Sequence, residues 1–445
     1  MKLAVVVQRY GHAINGGAEL HARYVAEHLA RHADVDVLTT FASDYVTWRN
    51  EPLPAQEDIN GIPVRRFPVD HERDLFEFSR RSKAVFERRH SIADELRWLD
   101  AEGPTSPALV RHLAAHAASY DFCLFFSYRY YHAYHGARAA GGRAVLVPTA
   151  ERDPAIGLAM FQPLFRGVRA VMYNSPEEQA MIQTVSGNHA VPSVVVGVGS
   201  EVPVNTAPAR FRQKYGIHDR FAIYVGRIDE NKGCKELFEF FEGYLRDVHG
   251  TLSLVLVGQS LLPIPSDPRI RHLGFLDDAD KFDAMAAAEM LIVPSYFESL
   301  SMVTLEAWGL GRPVVANGHC DVLKGQCIRS NAGLCYENYA EFLATVRALE
   351  ESRRFGMALG ANGLRFFRAN YEWPVIERKY LNVLEALQRT PATTGVEPLP
   401  GWLERQRRNQ PPAQDVVAGL PRGAVVTAAS ASEGARSADL AGTRS

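Results

Sequence analysis

The chain has 445 residues, 47% of them hydrophobic and 22% charged, which is the balance of a folded globular protein with more than one domain. Its formal net charge of -2 argues against a protein that binds nucleic acid through a broadly basic surface. The five cysteines form no C-x-x-C pair, so we expect reduced thiols and a cytoplasmic location rather than a disulfide framework.

The amino-terminal segment predicts the beginning of a doubly wound α/β domain. Residues 3–7 form an apolar run that is too short for the hydrophobic part of a signal peptide, and they predict a buried strand. A helix is predicted over residues 20–31 and a second strand over 35–39. The loop between the first strand and the helix carries Gly16 and Gly17, which would let the backbone approach a ligand closely. It lacks the G-x-G-x-x-G pattern of dinucleotide-dependent dehydrogenases.

Two short motifs have the spacing of metal ligands, but neither predicts a metal site. The D-x-D at residues 34–36 coincides with the opening of a predicted strand. His112 and His116 have helical i, i+4 spacing, yet no glutamate stands between them and no third ligand is evident in the sequence. We therefore predict that the chain holds no metal.

The segment 70–118 is polar and predicted to be mostly helical. It contains a local basic cluster formed by Arg80, Arg81, Lys83, Arg88 and Arg89. One interpretation of this cluster is an ordinary solvated helix face. The other is a surface that faces anionic lipid or a pyrophosphate-linked acceptor, which would give the protein peripheral contact with a membrane.

Three further apolar runs, 122–126, 144–147 and 170–173, continue the strand–helix alternation of the first domain. The first run is followed by the aromatic segment 127–135, whose rings either line a sugar site or pack beneath a loop. Glycine and proline become frequent after residue 196, which predicts a hinge between two domains.

The second domain opens with a predicted strand over 221–225 and a loop that ends at Gly233, followed by a helix over 235–245. Arg227 and Lys232 flank this strand-to-helix loop. Both side chains suit a diphosphate, arginine through a bidentate fork and lysine as a point charge. The loop therefore predicts an anion site.

A second strand–loop–helix unit follows, in which the apolar run 290–294 leads into a loop with Glu298 and a helix with Glu306. Ser299 and Ser301 stand where a helix N-cap belongs. The free N–H groups and the partial positive charge of a helix N-terminus suit a phosphate. Two carboxylates beside an anion site indicate a phosphorylated ligand that also carries hydroxyl groups, such as a sugar nucleotide.

The residues of this unit resemble the family-4 retaining glycosyltransferases of GT-B fold, the glycosyl transferases group 1. The resemblance rests on P-S-x-x-E-S-x-x-x-x-x-L-E-A over 294–307, on G-R-x-x-x-x-K-G over 226–233 and on G-G-A-E over 16–19. It covers about residues 1 to 390. It implies an α/β protein of two Rossmann-like doubly wound domains that face a cleft, with a carboxy-terminal helix that crosses back to the first domain.

The resemblance and the composition together predict the division of the chain. We expect a first, acceptor-side domain over 1–198, a hinge over 199–208 and a second, donor-side domain over 209–372. The crossover helix is expected over 373–390. The remaining residues, 391–445, are rich in proline and glycine and poor in large apolar side chains, which predicts a disordered tail.

In the family, the matching residues bind a nucleotide-diphosphate sugar. The resemblance implies that Arg227 and Lys232 stabilise the leaving diphosphate, that Glu298 holds the donor sugar and that Glu306 holds the ribose. It places the base at the loop of Gly274, Phe275 and Leu276, and the phosphates at the segment of Ser299, Leu300, Ser301 and Met302. It implies transfer to a glycan or lipid-linked acceptor in cell-surface polysaccharide synthesis, with retained anomeric configuration and with neither a metal nor another cofactor.

One loop of the first domain departs from the family. A histidine is common after the stretch that matches residues 148–150, and here Glu151, Arg152 and Asp153 stand in that place. Either Glu151, with Asp153, replaces the histidine as a carboxylate in the cleft, or Arg152 pairs with one of its neighbours and merely orders the loop. The departure leaves two alternatives to a transferase, a catalytically weak sugar-nucleotide-binding partner protein and a GT-B epimerase.

Overall fold

The computed structural model describes residues 1–14, 16–392, 395–397, 399 and 413–419. The chain divides into two units, 1–397 and 398–445, and the described part of the second unit contains one short helix, Ala413–Ala418. Most of the tail predicted to be disordered lies outside the described residues. Its first residues pack on the first unit, because Val396 is 6% exposed and the Glu397 carbonyl accepts a hydrogen bond from Arg138 Nε at 3.0 Å. The first unit therefore includes described residues beyond the predicted end of the crossover helix at residue 390.

The first sheet has eight strands in the order β3-β4-β2-β1-β5-β6-β7-β8, and every neighbouring pair is parallel except the β3–β4 hairpin. The strands are β1 Lys2–Val6, β2 Asp34–Thr40, β3 Gln56–Ile59, β4 Ile62–Phe67, β5 Phe122–Phe126, β6 Ala144–Val147, β7 Ala170–Tyr173 and β8 Ser193–Val195. Their helices are α1 Gly17–Leu29, α2 Leu75–Glu87, α3 Ile92–Glu102, α4 Pro107–His116, α5 Tyr131–Ala140, α6 Gln162–Gly167 and α7 Pro176–Ser186.

The second sheet has six parallel strands in the order β11-β10-β9-β12-β13-β14. The strands are β9 Phe221–Val225, β10 Ser253–Val257, β11 Ile270–His272, β12 Met290–Val293, β13 Val314–Asn317 and β14 Gly333–Tyr336. The accompanying helices are α8 Pro208–Tyr215, α9 Cys234–Asp247, α10 Asp278–Ala287, α11 Met302–Gly309, α12 Asp321–Ser330, α13 Tyr339–Glu351, α14 Arg353–Asn370 and α15 Trp373–Gln388.

Apolar runs form the central strands because a parallel sheet is covered on both faces and needs no polar side. All residues of β5, β6, β10 and β12 are buried. The covering helices bury one stripe each, as α9 does with Leu237, Phe241 and Tyr244 at spacings of three and four residues. Two sheets of this kind confirm the predicted pair of doubly wound domains.

Helix α15 returns the chain to the first domain, as predicted. Its Trp373 ring stacks on the His28 ring of α1, with 3.7 Å between the ring centroids. Glu377 accepts a hydrogen bond from His28 Nδ1 at 2.6 Å. None of the helices in the described ranges is long and apolar enough to cross a membrane.

The hairpin of β3 and β4 lies outside the sequence prediction, which contained no element between residues 40 and 70. Its turn is Asn60-Gly61, and both residues have positive φ, 53° and 82°. An Asn-Gly pair between two short strands is a strong hairpin signal, so the sequence contained the information.

Candidate active site

Loops that follow the strands of the two sheets meet across a cleft. Arg152, after β6, pairs with Asp321 at the start of α12, with 2.8 Å between Nη2 and Oδ2. Glu177, on α7, accepts a hydrogen bond from Arg329 Nη2 of α12 at 3.0 Å. The Asn174 amide nitrogen lies 3.5 Å from the Ser299 hydroxyl. In open α/β sheets this carboxyl edge is where ligands bind.

Lys232 and Glu298 come together from different loops of the second domain, and their Nζ and Oε1 atoms are 2.7 Å apart. The exposed fractions of the two side chains are 31% and 14%, so the pair is largely enclosed. Burial lowers the pKa of Lys232, the carboxylates of Glu298 and Glu151 raise it, and the net shift is upward. The structure therefore holds a charged lysine at the cleft.

Gly233 lets these two loops touch. Its φ is +74°, and an added Cβ would lie 2.1 Å from the carbonyl oxygen of Pro294, which directly follows β12 and leads into the Glu298 loop. Only glycine fits that approach without a shift of backbone. The last glycine of the G-R-x-x-x-x-K-G motif is therefore required for packing, in addition to the two cationic side chains of the motif.

Arg227 pairs with Asp229 in the same loop, and Asp229 also accepts a hydrogen bond from the Lys232 backbone N–H at 2.8 Å. The Arg227 side chain is 49% exposed. Its guanidinium is therefore tethered at the rim of the cleft and accessible to an anion.

Glu306 is 9% exposed and is paired with Lys281 of α10, whose Nζ lies 3.1 Å from Oε1. Burial raises the pKa of the Glu306 carboxyl, and Lys281 counteracts this rise. Sequence reasoning missed Lys281, because the surrounding D-A-D-K-F carries no motif and nothing local shows which face of α10 the lysine occupies.

Helix α11 begins at Met302 with Ser301 as its N-cap, in a left-handed conformation with φ 69°. Its hydroxyl lies 2.9 Å from Thr304 Oγ1 and, among the described residues, caps no backbone N–H. Ser299 lies two residues earlier and faces Asn174. Ser301 therefore occupies the predicted N-cap position without capping through its side chain, and Ser299 lies outside that position. Among the described residues, the first N–H groups of α11 have no side-chain acceptor. Leu300 is buried beside them and Met302 is half-buried.

The loop after β6 brings Glu151 within electrostatic reach of Lys232 and Glu298. Burial raises the pKa of the Glu151 carboxyl to about 7, Glu298 adds to the rise and Lys232 opposes it. Both protonation states are therefore populated near neutral pH.

Asp153 orders this loop. It pairs with Arg129 and caps the Ala155 backbone N–H at 3.1 Å. The predicted contact of Asp153 with a substrate stays a prediction, and these contacts show that the side chain already has partners within the first domain. Arg152 was expected to pair with a neighbour if the loop were merely structural, and it pairs with Asp321 instead.

Glu178, on α7, is a buried carboxyl group that the sequence analysis did not single out. It is 1% exposed, and it accepts hydrogen bonds from the backbone N–H groups of Ala150 and Asn174, which follow β6 and β7. Burial raises its pKa to about 8. Glu178 therefore joins two segments, the loop that contains Glu151 and the residue that follows the adjacent strand β7.

Gly16 is the N-cap of α1, and an added Cβ there would lie 2.2 Å from Glu19 Oε2, whereas Gly17 has no described atom within 4 Å of such a position. Glu19 holds Arg9, with 2.6 Å between Oε1 and Nη2. This buried ion pair beside the glycines was not predicted.

The loop predicted to hold a base follows β11. Gly274 has φ +72° and its carbonyl accepts the Gly258 N–H at 2.8 Å. Phe275 is 71% exposed and Leu276 is 8% exposed. The aromatic ring is thus available to a flat ligand group, and the leucine belongs to the core.

A cavity of about 100 Å³ lies between the domains, lined among others by Arg152, Glu178, Glu298 and Asp321. A larger one of about 540 Å³ lies beside β2 and β4, where His112 and His116 line it, away from the residues above. In the described part of the chain, no group of three or more His, Cys, Asp and Glu side chains is placed to hold a metal.

Residues 219–351 match the family model described as glycosyl transferases group 1. This segment contains the loop of Arg227 and Lys232, the loop of Glu298, and the helices α10 and α11 that carry Lys281 and Glu306. The match confirms the resemblance inferred from the motifs of the second domain.

Curated proteins similar to this chain include a D-inositol 3-phosphate glycosyltransferase of Corynebacterium efficiens, 27% identical over 205 residues, which are 40% of this chain and 47% of the relative. A glycogen synthase of Thermus thermophilus is 30% identical over 191 residues, 41% of this chain and 43% of the relative. The chain spans less than half the length of these two relatives. An uncharacterised glycosyltransferase of Methanocaldococcus jannaschii is 24% identical over 348 residues, 71% of this chain and 80% of the relative.

Solved structures of similar fold confirm the GT-B architecture. Sucrose-phosphate synthase from Thermosynechococcus elongatus superposes with a TM-score of 0.63 at 17% identity, over 87% of this chain and 99% of that one. Anabaena HepE, in complex with UDP-glucose, superposes with a TM-score of 0.63 at 18% identity, over 87% of this chain and 100% of that one. WaaG, a glycosyltransferase involved in lipopolysaccharide biosynthesis, superposes with a TM-score of 0.60 at 16% identity, over 87% of this chain and 100% of that one.

Proposed function

We propose that this chain is a glycosyltransferase that moves a sugar from a nucleoside-diphosphate sugar to a glycan or lipid-linked acceptor. The observation that carries the proposal is the second domain, a glycosyl transferases group 1 domain in which Lys232 and Glu298 meet at the cleft, 2.7 Å apart. Relatives named as glycogen synthase and inositol glycosyltransferase support the reaction class, and the HepE complex with UDP-glucose supports the donor class.

The diphosphate would bind where positive charge is concentrated. Lys232 and Arg227 supply two cations at the end of β9, and the N-terminus of α11 supplies backbone N–H groups without a side-chain acceptor. Negative charge grows on the diphosphate as the bond to the sugar C1 breaks. Donors already positioned for that charge stabilise the transition state more than the ground state.

The two ends of the donor would lie on either side of these cations. Glu306 is buried and ion-paired, and its carboxylate would accept hydrogen bonds from the ribose hydroxyls. The exposed Phe275 ring would pack on the base. Glu298 would hold the hydroxyls of the donor sugar, because its carboxylate lies next to the lysine that faces the diphosphate.

The acceptor would approach from the first domain, where Gly16 and Gly17 begin α1 and where Glu151 faces Lys232 and Glu298. The acceptor hydroxyl must lose a proton as its oxygen bonds to the sugar C1, and the Glu151 carboxylate would take that proton. Retention of configuration, and a reaction without a metal or other cofactor, are proposed from the family resemblance.

A surface patch on the first domain would contact the membrane. Leu75 and Phe76 at the start of α2 are 51% and 79% exposed, and the basic cluster follows on the same helix and just beyond it. Apolar side chains beside cations suit an anionic bilayer. The free thiols of all five cysteines fit a cytoplasmic location.

The experiment that tests the function is a transfer assay with UDP-, GDP-, ADP- and dTDP-sugars. Oligosaccharides and lipid-linked acceptors in anionic vesicles are offered in turn, and the anomeric configuration of the product is read by NMR. Acceptor-dependent release of the nucleoside diphosphate supports a transferase. Binding without turnover indicates a catalytically weak partner protein, and interconversion of the sugar nucleotide without an acceptor indicates an epimerase.

The two glutamates of the motif are expected to divide the donor between them. Glu306→Gln should weaken binding of the free nucleoside diphosphate and of the sugar nucleotide alike, each by roughly 1.5 kcal/mol, because a charged hydrogen-bond acceptor is lost. Glu298→Gln should leave the nucleotide affinity within about twofold and lower turnover. Calorimetry and initial rates measure both quantities, and the opposite division of effects would show that the roles are exchanged.

Glu151 is expected to set the pH dependence of transfer. Its raised pKa of about 7 means that the carboxylate form, which accepts a proton, grows as the pH rises through neutrality. Wild-type kcat/KM should therefore climb between about pH 6 and 8. Glu151→Gln should lose that climb and at least tenfold of the rate, which is about 1.4 kcal/mol.

The matched control is Asp153→Asn in the same loop, which should retain most of the rate because Asp153 is occupied by Arg129 and a backbone N–H. Losses below about tenfold in both variants under donor saturation would remove this loop from the mechanism.

A further inference from the structure

Lys281 is the part of the second-domain site that belongs to none of the sequence motifs. It lies on α10, its Nζ is 3.1 Å from Glu306 Oε1 and 3.1 Å from Asp278 Oδ1. Its side chain is 18% exposed and that of Glu306 is 12% exposed. The ammonium also lies 4.3 Å from the centroid of the Phe282 ring. The lysine is therefore fixed in an enclosed place rather than solvated.

A buried carboxyl without a cationic neighbour tends to keep its proton, because burial disfavours the charged form. A protonated carboxyl has one oxygen committed to an O–H donor, whereas a carboxylate offers both oxygens as acceptors. The two vicinal hydroxyls of a ribose are donors that need two such acceptor positions. A lysine on Oε1 keeps the charge on Glu306 and leaves Oε2 and the remaining lone pair of Oε1 available.

We propose that Lys281 is a positioning residue for the donor nucleotide, which holds Glu306 ionised and oriented so that its carboxylate accepts the 2′ and 3′ hydroxyls of the ribose. This inference rests on the proposed function and adds to it a residue that selects a ribonucleotide. Lys281 acts through Glu306 and touches no reacting atom.

The other titratable groups around the pair are Asp278 on α10 and Tyr24 on α1 of the first domain, with Glu201 facing Tyr24. Burial and the carboxylates of Asp278, Glu201 and Glu306 raise the pKa of Tyr24, so the phenol stays neutral across the range of interest. Asp278 pairs with the same ammonium, and its side chain is 81% exposed. Glu306 is thus the enclosed carboxyl whose charge depends on Lys281.

The test measures nucleotide affinity by calorimetry from about pH 5.5 to 8.5. UDP, GDP, ADP and dTDP are first compared on the wild type, and the ribonucleotide that binds is then used beside its 2′,3′-dideoxy form. The wild-type affinity for the ribonucleotide should depend less on pH than that of the Lys281 variants, because Lys281 lowers the pKa of the Glu306 carboxyl, which burial raises. Lys281→Met should weaken it by about tenfold at pH 6 and progressively less as the pH rises and Glu306 ionises unaided.

The dideoxy nucleotide should bind the wild type and Lys281→Met equally at every pH, because it has no hydroxyls for the carboxylate to accept. Glu306→Gln in the Lys281→Met background should abolish the pH dependence. Lys281→Gln keeps an N–H donor but no charge, so it should show the same pH dependence, and it replaces the methionine variant if that one does not fold. Lys281→Arg should restore wild-type behaviour.

The control is Lys214→Met, which removes another lysine from a carboxylate of α10, since Lys214 pairs with Asp280. It should leave nucleotide affinity unchanged at every pH. Ribonucleotide binding by Lys281→Met and Lys281→Gln that matches the wild type throughout would overturn the role of Lys281 and leave the proposed function standing. A wild type that binds none of the four nucleotides would overturn the proposed function itself.

Discussion

Replacing Lys232 by alanine is expected to weaken binding of the nucleoside diphosphate by roughly 1.5–3 kcal/mol, the range of a charge-assisted hydrogen bond. The upper end is expected here, because the lysine holds its charge against Glu298 and Glu151. Without the ammonium, two carboxylates would face the diphosphate with one compensating cation fewer, so repulsion adds to the lost attraction. Isothermal titration of the variant with the nucleotide bound by the wild type measures the loss directly.

Arg227→Ala should weaken the same binding, by less than Lys232→Ala, because the Arg227 side chain is half exposed. Lys324→Ala serves as the matched control. That lysine pairs with Glu337 in the same domain, and its side chain is 47% exposed. Its removal should leave the affinity unchanged. Wild-type affinity for the diphosphate in both Lys232→Ala and Arg227→Ala would remove this loop from the donor site.

The site residues that the sequence predicted are those whose placement is decided locally. Lys232 and Glu298 each follow a buried parallel strand directly, and strands of one sheet end at one edge. Their 2.7 Å contact requires that β9 and β12 be neighbours, which the sheet order provides, and that Gly233 allow the two loops to approach. The two-domain fold was predictable for the same reason, since apolar strands alternate with amphipathic helices along the whole packed chain.

The residues that were missed act across elements. Lys281 reaches Glu306 from a different helix, and Glu178 reaches back to the N–H groups that follow β6 and β7. A single sequence does not show which helix faces pack together. A lysine on the solvent-exposed surface therefore cannot be distinguished from a lysine at the site. Ser175 caps α7 through the Glu178 backbone N–H, while the Glu178 side chain accepts a hydrogen bond from Ala150 in the neighbouring loop.

The N-cap position of α11 was predicted at Ser301, but the direction of its hydroxyl could not be predicted from the sequence. Serines before a helix usually cap it, and here Ser301 occupies the N-cap with its hydroxyl directed to Thr304. Ser301 has a left-handed backbone, and its hydroxyl accepts no hydrogen bond from the N–H groups at the N-terminus of α11. An N-terminus that receives no internal acceptor is suited to an external anion, so the exception to the local rule coincides with the proposed phosphate site.

Gly233→Ala is expected to lower the free energy of unfolding by about 2–5 kcal/mol. The left-handed backbone, with φ +74°, costs an alanine roughly 1–2 kcal/mol. The added Cβ would lie 2.1 Å from the Pro294 carbonyl oxygen, and relief of that overlap requires a shift of backbone, at a further cost of roughly 1–3 kcal/mol. Because Pro294 leads into the Glu298 loop, the shift should also separate Lys232 from Glu298 and weaken diphosphate binding.

Gly216→Ala is the matched control for this effect. Gly216 ends α8 with φ +60°, and no described atom lies within 4 Å of an added Cβ. Its variant should therefore lose only the conformational part, roughly 1–2 kcal/mol, and bind the nucleotide as the wild type does. Chemical denaturation and calorimetry on both variants separate the two contributions. Equal losses of stability in the two variants, with unchanged nucleotide affinity in Gly233→Ala, would mean that the contact with Pro294 does not hold the two loops together.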